Sequence, residues 1–357
     1  MLVFVPTDVK LEVDQRRLFW PARLFYRKGE WGNHEELYQK WSVDMHLVQF
    51  TAHIGEADLM VLPYTVNDYV RFGYRDKIRE YSQLCVHHQV RGYAGIAGDF
   101  GARYPEYKGL VYFRMGGFRS QLGPEYEGMP FALSDQLPVF SPGGFQPRPY
   151  QARPMVGFCG HATRGLFRLV QESGKFLFEN VKRAFANPIR SDWEPVFLSA
   201  FQRASLLRSL EQHPGIETNF IYRARYRAGA STPAELHRTT QEYYANILSS
   251  DYILCVRGGG NFSVRLYETL MMGRIPVFVN TDCLLPFDQW VDWKKHVVWV
   301  EWHERGMLAE KVLAFHRTLD PYQFQSLQLL NRQLWERQLT MGGMFDYFRW
   351  RHEQAEV

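Results

Sequence analysis

Short apolar runs alternate with amphipathic stretches along most of this chain, and that alternation leaves few architectures open. Met1 to Pro6 (MLVFVP) and Ala57 to Tyr64 (ADLMVLPY) are apolar runs of strand length, the pattern of strands buried on both faces. Between them, the stretch around His34 to Trp41 reads as an amphipathic helix, and Asp76 to Gln89 places Ile78, Tyr81, Leu84, Cys85 and His88 near one helical face. IAGDFGA and GLVYFRMGG follow as strand-and-loop segments. Strands alternating with helices predict parallel sheets joined by crossovers.

Residues 123 to 154 interrupt the alternation with Pro124, Pro130, Pro138, Pro142, Pro147, Pro149 and Pro154 and with Gly123, Gly128, Gly143 and Gly144, more than a regular element accommodates. This places a domain boundary near residue 150. A second α/β series follows: MVGFCG as a strand, a helix start at Gly165 to Ser173, a helix over Phe197 to Gln212, a strand over Thr218 to Tyr222 and a helix over Glu235 to Leu248. Tyr322 to Trp350 reads as one or two amphipathic helices. The expected domains are 1–150, 151–325 and a helical end, 326–357, that packs back across the first. A chain of 357 residues, 46% hydrophobic and 16% aromatic, has the length for two such domains and too much aromatic content for disorder.

Charge excludes less. The net charge of +4 is spread along the sequence with no basic tail, which disfavours nucleic acid as a partner. Arginine far outnumbers lysine, a bias that suits phosphate or carboxylate capture and also ordinary surface ion pairs. Cys85, Cys159, Cys255 and Cys283 lack zinc-ligand spacing and read as buried thiols in a reducing compartment. No stretch approaches a membrane span and the first residues lack a leader pattern, so the expectation is a soluble, cytoplasmic chain for which peripheral membrane association stays open.

The stretch from Ser249 to Glu304 carries the chemistry. A buried strand, Tyr252 to Val256, runs through Arg257 into Gly258-Gly259-Gly260 and Asn261, then into a helix near Ser263, with a further strand at Ile275 to Val279. Strand, glycine loop and helix N-terminus make an anion site, because glycines let backbone approach a phosphate and the first helical amides point at it. Ser263 can cap the helix or meet a phosphate oxygen. Arg265 and Glu268 share a helix face beside the loop, placed to neutralise a diphosphate and to accept hydrogen bonds from a ribose diol. An ordinary surface ion pair fits their spacing equally. The loop is neither a Walker motif nor GxGxxG, which argues against a P-loop ATPase.

RGGGNFSVRLYETLMMGRIPVFVNTDCLLPF resembles the donor-binding stretch of the exostosin-type glycosyltransferases of family 47, with Arg257-Gly258, Ser263, Arg265, Glu268, Gly273, Ile275-Pro276-Val277 and Leu285-Pro286-Phe287 in the family's order. Two echoes accompany it: Ala57 to Tyr64 in the first half, and Val156 to Gly160 with Arg164-Gly165 and Arg168 at the start of the second. The resemblance implies a GT-B architecture, two Rossmann-like domains facing a central cleft, the nucleotide sugar held mainly by the second. It implies inverting transfer from a UDP-sugar donor to a glycan acceptor with no tightly bound cofactor or metal, surface polysaccharide being one setting. Gly160, His161 and Arg164 join Arg257, Gly258, Gly259, Gly260, Ser263, Arg265 and Glu268 as donor-site candidates.

The family's acceptor-side motifs are not found between Tyr64 and Gly109. Candidates for a base that takes the acceptor proton are Asp68, His87, His88 and Asp99, the last exposed between glycines in Ala97 to Gly101. Trp290, Trp293, Trp299 and Trp302 fit packing better than sugar stacking, and Arg223, Arg225 and Arg227 fit a solvated strand edge as well as a cleft wall. The competing class is a lectin-like or scaffold protein that keeps the fold and nucleotide binding without catalysis.

Overall fold

The computed structural model describes residues 1–100, 103–163, 165–185 and 193–355. The chain divides into two compact units: Met1–Leu133 with Leu284–Val291 and Glu336–Val357, and Ser134–Cys283 with Asp292–Trp335. Each is built on a parallel sheet.

In unit 1, β1 (Leu2–Phe4) is followed by β2 (Tyr26–Arg27) and β3 (Glu30–Trp31), a small antiparallel hairpin whose turn uses positive φ at Lys28 and Gly29. Then come α1 (Glu35–Trp41), β4 (Gln49–Thr51), β5 (Leu59–Val61), α2 (Val66–Arg71), α3 (Arg75–His88), β6 (Arg91–Ile96), β7 (Leu110–Arg114) and β8 (Tyr126–Gly128). The six-stranded sheet has the order β4-β1-β5-β6-β7-β8 with parallel pairing throughout. All residues of β5 and β7 are buried, as the apolar run of β5 and that of β7 up to Arg114 require.

Unit 2 begins with α4 (Leu137–Phe140), β9 (Met155–His161), α5 (Leu166–Ala184) and α6 (Ser199–Glu211). It continues through β10 (Glu217–Arg223), α7 (Pro233–Leu248), β11 (Tyr252–Cys255), α8 (Val264–Met271), β12 (Ile275–Asn280), β13 (Val298–Glu301), α9 (Leu308–Arg317) and α10 (Pro321–Gln338). Its parallel sheet has the order β10-β9-β11-β12-β13. Local sequence dictates the starts: Thr232 and Glu235 form a capping box at the head of α7, with Pro233 as its first residue. The last helix, α11 (Met341–Ala355), returns to unit 1, where Phe348 stacks on Tyr93 with ring centroids 4.0 Å apart.

Two boundaries differ from the sequence expectation. The Pro/Gly-rich stretch joins unit 2 from Ser134 onward, 16 residues or so before position 150, because its side chains are anchored there. Asp135 pairs with Arg332, Phe140 stacks on Tyr244 and Arg148 pairs with Asp251 at 2.6 Å. The Leu285-Pro286-Phe287 segment, in turn, belongs to unit 1. Gly128 bridges Pro286 there, and a Cβ on Gly128 would fall 2.2 Å from the Leu285 carbonyl oxygen, so only glycine permits the approach. Phe287 is fully buried and stacks on Tyr347. These residues hold the fold of unit 1.

Candidate functional site

In unit 2 the strand order reverses at β9, with β10 on one side and β11 on the other. β10 pairs along the whole of β9, from Met155 to His161, whereas β11 pairs only with Val156 and Gly157. The carboxyl ends of β9 and β11 therefore separate, and such a switch point is where open parallel sheets bind ligands. Arg265, from the first turn of α8, reaches this gap: its Nη2 donates to the Cys159 carbonyl at 2.9 Å and its guanidinium lies 4.2 Å from the Phe158 ring centroid. Gly160 leaves the room, since a Cβ there would lie 2.7 Å from Arg265 Nη2.

A second guanidinium stands at the same strand end. Arg203, from α6, donates through Nη1 to the His161 carbonyl at 2.9 Å, with further bonds to the Ser199 carbonyl and hydroxyl. Burial first, and then charge repulsion from Arg265, push its pKa down to about 10 against the opposing pull of Glu172. Arg203 remains cationic at neutral pH. Two arginines thus hold carbonyls two residues apart on β9, about 7 Å along the strand, which concentrates positive charge at the switch point. Nothing in the sequence around Arg203 marked it.

The glycine loop closes the site from β11. Asn261 is buried and fixes it: Nδ2 donates to the Thr281 and Asp282 carbonyls, and Oδ1 accepts from the Thr281 hydroxyl at 2.6 Å. Its amide is committed inside the fold. Gly258 and Gly259 reach the surface, while Gly260 is buried. Ser263 occupies the cap position of α8 yet makes no side-chain capping bond. Glu268, one turn into α8, accepts a short hydrogen bond from the hydroxyl of Tyr243, whose pKa is raised well above its ordinary value by burial and then by the Glu268 charge.

Arg257 departs from the expected role. It is 2% exposed and points inward, pairing with Glu194 at 2.8 Å, donating to the Gly259 carbonyl at 2.7 Å and lying over the Phe197 ring. It braces the loop from beneath. Arg164 lies outside the described residues, and His161 ends β9 beside both arginines' carbonyl contacts.

Residues 189–305 match the Exostosin GT47 domain. The chain carries an exostosin-like GT47 segment. Over 96 residues it is 31% identical to Exostosin-1 of Drosophila melanogaster, covering 27% of this chain and 12% of that protein. Over 60 residues it is 35% identical to Probable glucuronosyltransferase GUT1 of Oryza sativa subsp. japonica, covering 17% of this chain and 14% of that one. The matches thus span about an eighth of these relatives' lengths. A solved structure, the GtfA/B complex, aligns over 83% of this chain and 57% of its own at 12% identity and a TM-score of 0.35. The exostosin-like segment contains Glu194, Arg203, Arg257, the glycine loop, Ser263, Arg265 and Glu268. Gly160 and His161 lie upstream of it.

Unit 1 separates the base candidates. Asp68 is 1% exposed, pairs with Arg17 and accepts from the Thr65 hydroxyl at 2.8 Å while Thr65 caps α2. It is a capping residue with both oxygens held, and the Thr65-x-x-Asp68 spacing was the signal for that. His88 ends α3, its ring against His87, so both precede β6 and lie at the amino end of the sheet. Ligands bind at the opposite end of a parallel sheet. Asp99 is exposed just beyond the carboxyl end of β6, where the Ala97 amide donates to Asn67.

The tryptophans scatter into packing positions. Trp290 belongs to unit 1 near Tyr347, Trp293 is buried, Trp299 donates to Glu301 and Trp302 packs on Phe197. Arg223 is buried against Glu242 and the Thr239 carbonyl. Among the described residues, no group of three or more His, Cys, Asp or Glu is arranged to hold a metal ion.

Proposed function

We propose that this chain is an inverting glycosyltransferase that moves a sugar from a nucleoside diphosphate, UDP in the simplest reading, to a glycan hydroxyl. Unit 2 holds the donor and unit 1 serves the acceptor, in the cytoplasm and in the service of surface polysaccharide synthesis. The observation that carries the reading is Arg265 in the gap between β9 and β11, with Arg203 at the same strand end and Glu268 one turn further along α8. As the acceptor oxygen bonds to the sugar's anomeric carbon, the bond to the diphosphate breaks and its electron pair leaves with the phosphate. Arg265, Arg203 and the first amides of α8 balance that charge without a tightly held metal. Glu268, oriented by Tyr243, accepts from the ribose hydroxyls. Asp99 is the remaining candidate to take the acceptor's proton.

Gly258 offers a local check. A Cβ there would meet nothing within 4 Å, so Gly258→Ala should leave thermal stability within about 0.5 kcal/mol of wild type. A bound phosphate needs that space, and UDP affinity should fall about tenfold by calorimetry. Equal affinity would move the phosphates away from the loop.

The reading as a whole is tested by incubating the full chain with UDP- and GDP-sugars while recording thermal stabilisation and nucleotide release. The expected result is stabilisation by UDP and slow release of UDP from one sugar donor. Stabilisation without release from any donor would favour the lectin-like alternative, and neither response would remove both readings.

A further inference from the structure

The helix α5 has one covered face and one uncovered face. Phe176 and Arg183 are buried against the rest of unit 2, and Glu172 accepts from the Ser199 hydroxyl and the Ala200 amide at the head of α6. On the other side stand Val170, Leu177, Phe178, Val181 and, just past the helix end, Phe185. Their spacing draws one stripe roughly 100° wide along the helix. Phe178 is 70% and Phe185 86% exposed. Gly174 lies within the stripe, and a Cβ added to it would meet nothing within 4 Å.

The margins of this face are of two kinds. Lys175 and Lys182 lie along one edge, both exposed, Lys182 loosely paired with Glu179 at 3.7 Å. At the other edge Asn180 exchanges two hydrogen bonds with the backbone of Glu194, at 2.8 and 2.9 Å, and the preceding Trp193 is 53% exposed. An exposed ridge of Phe, Leu and Val with lysines on its flank is the chemistry of a helix lying in a lipid interface: rings and aliphatic groups enter the headgroup region and ammonium groups meet anionic phosphates. A protein dimer fits less well, since stable interfaces engage about 20–30 residues a side and this ridge is a single convex helix face. No described helix is long and apolar enough to cross a membrane.

We propose that the exposed face of α5 docks this chain on an anionic lipid surface, lying in the plane of the interface. The proposal stands independently of the donor site. It is tested by co-sedimenting the full chain with vesicles of pure phosphatidylcholine and of equal parts phosphatidylcholine and phosphatidylglycerol. Wild type should partition onto the anionic vesicles at least about tenfold more strongly than onto the neutral ones, and lose most of that preference at about 1 M salt. Phe178→Ser/Phe185→Ser should reduce binding to anionic vesicles about tenfold or more, and Lys175→Gln/Lys182→Gln should reduce it by a similar factor. All four side chains are exposed, and unchanged thermal unfolding of each variant verifies the fold. Absence of vesicle binding by wild type, or equal binding by the phenylalanine variant, would overturn the proposal. So would a wild-type dimer, seen by sedimentation, that the phenylalanine variant dissociates without any vesicle binding.

Discussion

Arg257→Ala should destabilise unit 2 by about 3 kcal/mol, the low end of the cost of breaking a buried ion pair. Arg257 and Glu194 are 2% and 4% exposed, so solvent cannot repair the loss. Removing the guanidinium leaves Glu194 with Arg183, at 3.6 Å, and frees the Gly259 carbonyl it braces. Urea unfolding followed by circular dichroism should show an earlier transition, and any loss of nucleotide affinity should accompany disorder of the glycine loop. Arg257→Lys should recover only part of the stability, because an ammonium cannot reach both the carboxylate and the carbonyl in the fork geometry. A fully stable Arg257→Ala protein that had lost UDP affinity would return Arg257 to the phosphate.

Arg265→Ala should have the opposite profile. Its guanidinium is only partly buried, and removing it forfeits one bond to the Cys159 carbonyl and its contact with the Phe158 ring, about 1 kcal/mol together. It also relieves the repulsion on Arg203. The folded protein should therefore survive, while UDP affinity falls about 30-fold, the value of a charge-assisted phosphate contact of about 2 kcal/mol. An unfolding curve that stays cooperative and shifts by about 1 kcal/mol, together with calorimetry on the folded variant, reads the two effects separately.

Much of the layout was legible from residue pattern. The buried runs at β9, β11 and β12 and the strand–glycine–helix sequence at α8 follow from apolar length and from the residues that loops require, all of it local. The direction taken by Arg257 was not, because its partner Glu194 lies 63 residues upstream and nothing near either residue announces the other. Arg203 escaped notice for the same reason: only the fold of α6 beside β9 brings it to His161. Asp68 is legible as a cap from the threonine three positions earlier, and with Arg17 and Thr65 on its two oxygens it is held away from a base's role. The Leu285-Pro286-Phe287 segment sits in unit 1 because Gly128, more than 150 residues away, admits its backbone.

The central claim is that the gap between β9 and β11 holds a diphosphate. Calorimetric titration of the wild-type chain and Arg265→Ala with UDP, UMP and uridine tests it most directly, since the three ligands differ only in phosphate count. Wild type should bind UDP about tenfold more tightly than UMP and about 100-fold more tightly than uridine, and Arg265→Ala should erase most of the difference between UDP and UMP. Equal affinity of wild type for UDP and uridine, or an undiminished preference for UDP in the variant, would contradict it.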